Sequence, residues 1–419
     1  MEKNINIINL GCRLNIYEGE VIKYLTKKQN LSNYTIINSC SVTEEAEKKV
    51  SYEIRKSKKN FPNKKIIVTG CSAQINPEKY AAMAEVNFVI GNHEKLNQKT
   101  WSKLSSRNRL QVDNIFNANH THNNIVEKFE GKSRAYIEIQ QGCDHRCTFC
   151  IIPFGRGNNR SVPVGVIIER IRLLVKNSYQ EIVLTGVDIT DFGKDLPGKP
   201  NLFQLIKRIL NLVPELKQLR LSSIDCAEIN NDFWPLLKEK RLMPHFHLSL
   251  QSGSDLILKR MKRRHSRKKA IDFCNRVRKE RKDAVFGADI IAGFPTETDE
   301  MFAETINLIK ECDLTHLHVF PYSKRKSTPA ARMPQIPKDI IKIRAKKLRD
   351  LGERLLSVYL KKQIGLTAMV LIEKTVDKIS TGKSQHFTKI KINESIQEGK
   401  IVKCKITDMK QSTLQAYLI

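Results

Sequence analysis

Short apolar runs alternate with longer amphipathic stretches along most of this chain. Ile5-Asn6-Ile7-Ile8-Asn9-Leu10, Tyr34-Thr35-Ile36-Ile37-Asn38 and Lys65-Ile66-Ile67-Val68-Thr69 are rich in β-branched residues, which predicts strands. The stretches 18–28 and 44–58 between them carry helical periodicity. Strand, helix, strand, helix, strand predicts a parallel, doubly wound sheet. The alternation resumes near residue 133. Strand-like runs fall at 135–139, 181–184, 219–221, 245–250, 286–291 and 316–320, with helical segments such as 166–176, 202–212 and 303–311 between them. Six such repeats predict an open, partial (β/α)6 barrel of parallel strands. A long basic helix is expected over 340–360. Alternating runs at 367–372, 388–392 and 401–406 then predict a small β-barrel, a form often used to grip RNA. The polar stretch 117–124 reads as a linker, where His120 and His122 are expected to be solvated in preference to serving as metal ligands. The expected division of this α/β chain is 1–118, 130–360 and 361–419.

The predicted strand ends give the cysteines their meaning. In a parallel sheet the C-terminal strand ends share one edge, where ligands bind. Cys12, Cys40 and Cys71 each follow a predicted strand of the first sheet and are expected to converge there as three thiolates. Gly11 and Gly70 beside them allow sharp turns. Cys143, Cys147 and Cys150 follow the first strand of the second unit with C-x3-C-x2-C spacing. Three thiolates with no fourth nearby suit a 4Fe–4S cluster with one open iron, whereas a structural zinc asks for four protein ligands. Phe149 and Pro153 fit a compact loop that shields such a cluster. Each triad predicts one cluster. Gly186, Ser222, Gln251 and Gly293 at the other strand ends are expected at the cofactor site, where glycine and small hydroxyl residues let an adenosine-containing ligand approach the backbone. Cys226, Cys274, Cys312 and Cys404 lack ligand spacing and read as buried apolar residues.

Charge narrows the partner. Among 419 residues, 73 Lys and Arg face 44 Asp and Glu, a formal net charge of +29. That balance predicts a polyanionic partner, most simply nucleic acid. The run from Lys259 to Lys269 concentrates it, with Lys259, Arg260, Lys262, Arg263 and Arg264 as expected RNA contacts. No apolar run is long enough to span a membrane. The N-terminal residues lack the basic start and apolar stretch of a signal peptide. Ten cysteines then read as metal chemistry in a reducing, cytoplasmic setting.

These residues resemble a family. The C-x3-C-x2-C loop is similar to that of radical S-adenosylmethionine (SAM) enzymes, and the full set resembles their methylthiotransferase branch. Asn9-Leu10-Gly11-Cys12-Arg13-Leu14-Asn15, Asn38-Ser39-Cys40-Ser41-Val42-Thr43 and Val68-Thr69-Gly70-Cys71-Ser72-Ala73-Gln74 look like its N-terminal domain. Ile151-Ile152-Pro153, His247-Leu248-Ser249-Leu250-Gln251-Ser252-Gly253-Ser254, Ile291-Ala292-Gly293-Phe294-Pro295-Thr296-Glu297 and Phe320-Pro321-Tyr322-Ser323-Lys324-Arg325 look like its radical core, and the last segment resembles a TRAM domain. The resemblance implies two 4Fe–4S clusters, S-adenosylmethionine as radical source and methyl donor, tRNA as partner, and an electron donor such as a flavodoxin or ferredoxin. Three substrates compete within the branch: threonylcarbamoyl-adenosine in tRNA, isopentenyl-adenosine in tRNA, and an aspartate of a ribosomal protein. Leu184-Thr185-Gly186-Val187-Asp188-Ile189, Arg220-Leu221-Ser222-Ser223-Ile224-Asp225 and Arg263-Arg264-His265-Ser266 look most like the first, which is modified at C2 of the adenosine at position 37, next to the anticodon.

Overall fold

The computed structural model of the protein describes residues 5–29, 31–104 and 109–419; residues 1–4, where the reading for a leader begins, lie outside them. Five parallel strands form the first sheet: β1 (Asn6–Asn9), β2 (Tyr34–Ser39), β3 (Lys65–Gly70), β4 (Phe88–Ile90) and β5 (Leu110–Gln111), in that order across it. Alternate residues serve opposite faces. Ile36 and Ile67 pack with the helix Arg13–Lys27, whereas Ile37, Ile66 and Val68 pack with the helix Glu44–Asn60. Both faces are thus covered, as continuous apolar strands require. Thr43 starts the second helix, its side chain accepting from Ala46 N at 3.1 Å, and Glu44, Glu45 and Glu47 fill the first turn. The registers Asn9↔Asn38 and Ser39↔Gly70 bring the C-terminal ends of the first three strands to one edge.

The second unit begins with β6 (Ala135–Glu138) and a short ribbon of β7 (Gln140–Gln141) with β8 (Arg160–Ser161). β9 (Glu181–Thr185), β10 (Gln218–Leu221), β11 (His245–Gln251), β12 (Val285–Ala292) and β13 (Leu314–Pro321) follow. The parallel sheets β10-β9-β6 and β11-β12-β13 are joined by the bridges Leu219↔Leu242 and Ile224↔Leu248. Among the described residues β6 and β13 remain unpaired edges, so the six strands make the expected partial barrel. One apolar core runs from Leu14 and Ile36 of the first sheet through Ile182 and Leu205 to Phe286, so the two units pack without a polar break.

The helix Lys338–Gln363 leads into a closed barrel of β14 (Thr367–Val376), β15 (Ile379–Ser384), β16 (Lys389–Ile392), β17 (Ile401–Lys410) and β18 (Thr413–Leu418). Leu360 enters its core beside Val370, Ile372 and Ile390. This barrel docks where the six strands begin. Arg220 pairs with Glu181 at 3.0 Å and donates to the Ser384 and Gln385 carbonyls at 3.3 and 3.2 Å. Phe387 stacks on His245 amid Arg13, Arg134, Arg220 and Lys383. No helix among the described residues is long and apolar enough to cross a membrane.

Candidate functional site

The opposite end of the strands carries both cysteine triads. On the first sheet, Cys40 and Cys71 are buried and Cys12 is exposed. Gly11 lies so close to Cys40 that a Cβ on it would stand 2.7 Å from the thiol sulfur. Burial and then the neighbouring Cys71 push the Cys40 thiol up to about 11. The charge of Cys71 acts on both Cys12 and Cys40, so three thiols that the sequence separates by dozens of residues stand near one another.

The second triad sits in the loop after β7. Gly142 turns the chain into it with φ +69°, and a Cβ there would fall 1.8 Å from the Asn158 carbonyl oxygen. Cys143 N donates to Gly157 O at 3.1 Å, and Cys150 N to Cys147 O at 3.0 Å. Thr148 fastens the loop to the barrel, its N–H donating to Met261 O at 3.1 Å and its hydroxyl to Arg260 O at 2.8 Å. Burial and then Cys147 push the Cys150 thiol up to about 12. A neutral thiol is the state for such an environment, unless positive charge compensates the thiolate.

Each triad has a buried arginine that supplies positive charge. Arg263 donates to Cys147 Sγ at 3.6 Å, and to Asp225 Oδ2 and Ser249 O at 2.8 and 2.6 Å. Arg156, from the helical turn Ile152–Arg156 just after Cys150, reaches back to the other triad. It donates to Asn15 Oδ1 at 2.6 Å, Glu18 Oε1 at 2.8 Å and Gln141 Oε1 at 2.7 Å. Burial alone would lower its pKa, but Cys71, Glu18 and Cys12 hold it well above the usual value. Lys95 also contacts Glu18, at 2.7 Å. Asn92 completes the junction, donating to Cys71 Sγ at 3.4 Å and Gly155 O at 2.5 Å. These side chains fit thiolate ligands, because N–H groups aimed at the sulfurs stabilise a negative cluster.

A cavity of about 210 Å³ is lined by residues that neighbour Cys40 and Cys150 in the chain. Val42 and Thr43, just past Cys40, form one wall; Phe149, just before Cys150, forms another. The ends of β11, β12 and β13 close it with Gln251, Asp289, Ile291 and Tyr322. Asp289 Oδ1 accepts from His247 Nε2 at 3.0 Å and His318 Nδ1 at 3.2 Å. Burial would raise that carboxyl, but the two imidazoles keep it well below the ordinary range, so the cavity contains a carboxylate acceptor.

The expected ligand residues divide. Phe149 and Gln251 line the cavity, and Phe149 packs edge-on against Phe294 at 6.4 Å. Ser222 is half-buried at the end of β10, outside the cavity walls, with its N–H on Leu184 O. Protein packs closely against Gly186 and Gly293. A Cβ on Gly186 would stand 2.8 Å from the Gln140 carbonyl oxygen, and one on Gly293 2.6 Å from Ile341 Cγ1. Both glycines allow close packing of protein on protein. The basic run is divided. The chain turns at Lys262, where φ is +61°, between the helices Asp255–Arg260 and Arg267–Glu280. Lys259 and Lys262 are exposed. Arg260 turns inward to Thr296 O and Oγ1 at 3.2 and 2.8 Å, and Arg263 serves the cysteine loop. Arg264 pairs with Glu228 and touches His145. Neither His247 nor Asp289 was given a role from the sequence, although His247 opens one of the quoted motifs. For Asp289 the available signal was a carboxylate within the otherwise apolar strand Val285–Ala292.

Comparisons place this geometry among known proteins. Residues 137–309 match the radical SAM superfamily, and residues 4–91 match a family described as uncharacterized protein family UPF0004. The threonylcarbamoyladenosine tRNA methylthiotransferase MtaB of Rickettsia prowazekii (strain Madrid E) is 49% identical over 99% of this chain and 97% of its own. The tRNA-2-methylthio-N(6)-dimethylallyladenosine synthase of Carboxydothermus hydrogenoformans is 31% identical over 100% of both chains. Among solved structures, the radical SAM methyltransferase TsrM from Kitasatospora setae aligns with TM-score 0.55 at 12% identity, over 78% of this chain and 74% of that one, a likeness of fold.

Proposed function

Because the chain belongs to the radical S-adenosylmethionine methylthiotransferase family, we propose that it adds a methylthio group to C2 of N6-threonylcarbamoyladenosine at position 37 of tRNA. The observation that carries this reading is a cavity whose walls include Val42 and Thr43, just past Cys40, and Phe149, just before Cys150. At about 210 Å³ the cavity is far too small for a folded RNA, so a base would enter it alone from the RNA. The relative named for the threonylcarbamoyl substrate shares 49% of its residues with this chain, against 31% for the one named for the dimethylallyl substrate.

The adenine C2–H is neither acidic nor electrophilic enough for ordinary acid–base substitution. A 4Fe–4S cluster with S-adenosylmethionine supplies the radical chemistry that can remove such a hydrogen. In this reading Cys143, Cys147 and Cys150 hold that cluster, and Cys12, Cys40 and Cys71 hold a second one that carries the sulfur. The protein's own share is placement and shielding. Arg263 and Arg156 stabilise the two sets of thiolates. Phe149 and Ile291 exclude water, and Asp289 offers an acceptor to the base. Division of labour follows the segments 1–118 for sulfur, 130–360 for the radical and 361–419 for RNA.

Mass spectrometry of tRNA nucleosides, with and without the gene and with Cys40→Ala or Cys147→Ala restored in its place, tests this. The 2-methylthio derivative of threonylcarbamoyl-adenosine should vanish in the deletion and in both variants while its precursor persists. In vitro, Cys147→Ala should stop cleavage of S-adenosylmethionine, whereas Cys40→Ala should retain part of it. An unchanged nucleoside in the deletion would move the substrate to isopentenyl-adenosine or a ribosomal-protein aspartate.

A further inference from the structure

The segment between β5 and β6 was expected to be a solvated linker, yet it folds back onto the first sheet. His93, beside the junction residue Asn92, receives both linker histidines. Ring centroids lie 4.3 Å apart for His93 and His122, 5.0 Å for His93 and His120, and 5.4 Å for His120 and His122. One ring nitrogen from each can be chosen so that all three lie within 4.8 Å of one another. We propose that His93, His120 and His122 form a site for a divalent transition metal, separate from both cysteine triads, that fastens the linker to the first sheet.

The hydrogen bonds around the rings select the ligand atoms. His120 Nδ1 lies 2.9 Å from Asn119 Oδ1 and donates to it, which leaves the His120 Nε2 lone pair free. His122 is hydrogen-bonded to the His93 backbone, while its Nε2 is buried without a partner. A metal ligand requires this arrangement, with one ring nitrogen fixed by an oxygen and the other bare. A buried bare nitrogen is otherwise costly. The cavity the histidines share measures about 10 Å³, room for about one water-sized particle and none for an organic substrate. Burial and the adjacent imidazoles keep His93 and His122 neutral, at about 4. Charge on the cavity wall is mixed. Glu138, whose carboxyl burial pushes up to about 7, favours a cation only when ionised, while Arg156 and Arg160 oppose it, Arg160 being tied to the Arg156 and Asn158 carbonyls at 2.9 and 2.8 Å. Three imidazoles and an open position suit Zn²⁺ and its divalent neighbours, not Mg²⁺ or Ca²⁺.

The test uses full-length protein with its clusters reconstituted, given Zn²⁺ or Co²⁺ without oxygen. The expected result is one metal ion retained per chain and a weak cobalt spectrum without thiolate charge transfer. Zinc should also raise the thermal midpoint. His93→Ala and His122→Ala should each weaken zinc binding by about 100-fold or more. His120→Ala, at an exposed position that packing does not need, should weaken it too and remains informative if the other variants fold poorly. Zinc affinity unchanged in His120→Ala, or a cobalt spectrum dominated by thiolate bands in the wild type and all three variants, would overturn the site and assign the metal to the cysteines.

Discussion

At the scale of single residues, Glu18 shows how much chemistry one buried side chain organises. Burial alone would raise its carboxyl, but Arg156 and Lys95 hold it down at about 2. Glu18→Gln would leave two cations buried without their partner, at a cost of about 3–5 kcal/mol measured by urea unfolding. The sign of the pH effect follows from the depressed value. The wild type's advantage should be full above pH ~4.5 and fade as pH falls from there toward 2. A difference between wild type and variant that stayed constant across that window would exclude this role. The six cysteines were legible in the sequence, three by local spacing and three by their places after strands. Glu18, Asn92 and Arg156 were not, because each derives its role from a partner far along the chain.

At the scale of elements, the Cys143 loop depends on how tightly β7 passes the chain near Asn158. Gly142→Ala should force that loop to move and lower iron content by about half, since one of two triads would be disturbed. Gly165→Ala is the matched control, because a Cβ there meets nothing within 4 Å inside the helix Val164–Lys176. It should keep full iron and gain up to about 1 kcal/mol in stability. Equal iron loss in both variants would deny the loop its special status. Most helices and strands of the first two units could be read from periodicity. β15 and β18 could not. β15 buries Ser380, whose hydroxyl contacts Thr375 Oγ1, Glu394 O and Ile396 N at 2.9, 2.7 and 3.0 Å. Polar groups satisfied inside a small barrel leave no apolar alternation in the sequence. β4, with three residues, is too short to show a period.

At the scale of the molecule, net charge and local structure separate affinity from catalysis. Lys259 and Lys262 project outward, whereas Arg263 is 8% exposed and committed to the cysteine loop. Replacing both lysines with glutamine should weaken tRNA binding and flatten the plot of log affinity against log salt by about one to two. Arg263→Gln should leave that slope unchanged while destabilising the cluster loop. Equal slopes for the wild type and the lysine variant would remove these residues from the RNA surface. The sequence charge announced a polyanion but could not say which arginines were already engaged, because that depends on Asp225 and Thr296 arriving from elsewhere. The junction around Arg156 has a consequence for how the molecule can be taken apart. One half of the molecule supplies this guanidinium, and the other supplies the glutamate, asparagine and thiols that surround it. Neither half is then an interchangeable part. A hybrid joining the first sheet of one relative to the barrel of another would keep this lock and its key only if these residues travelled together.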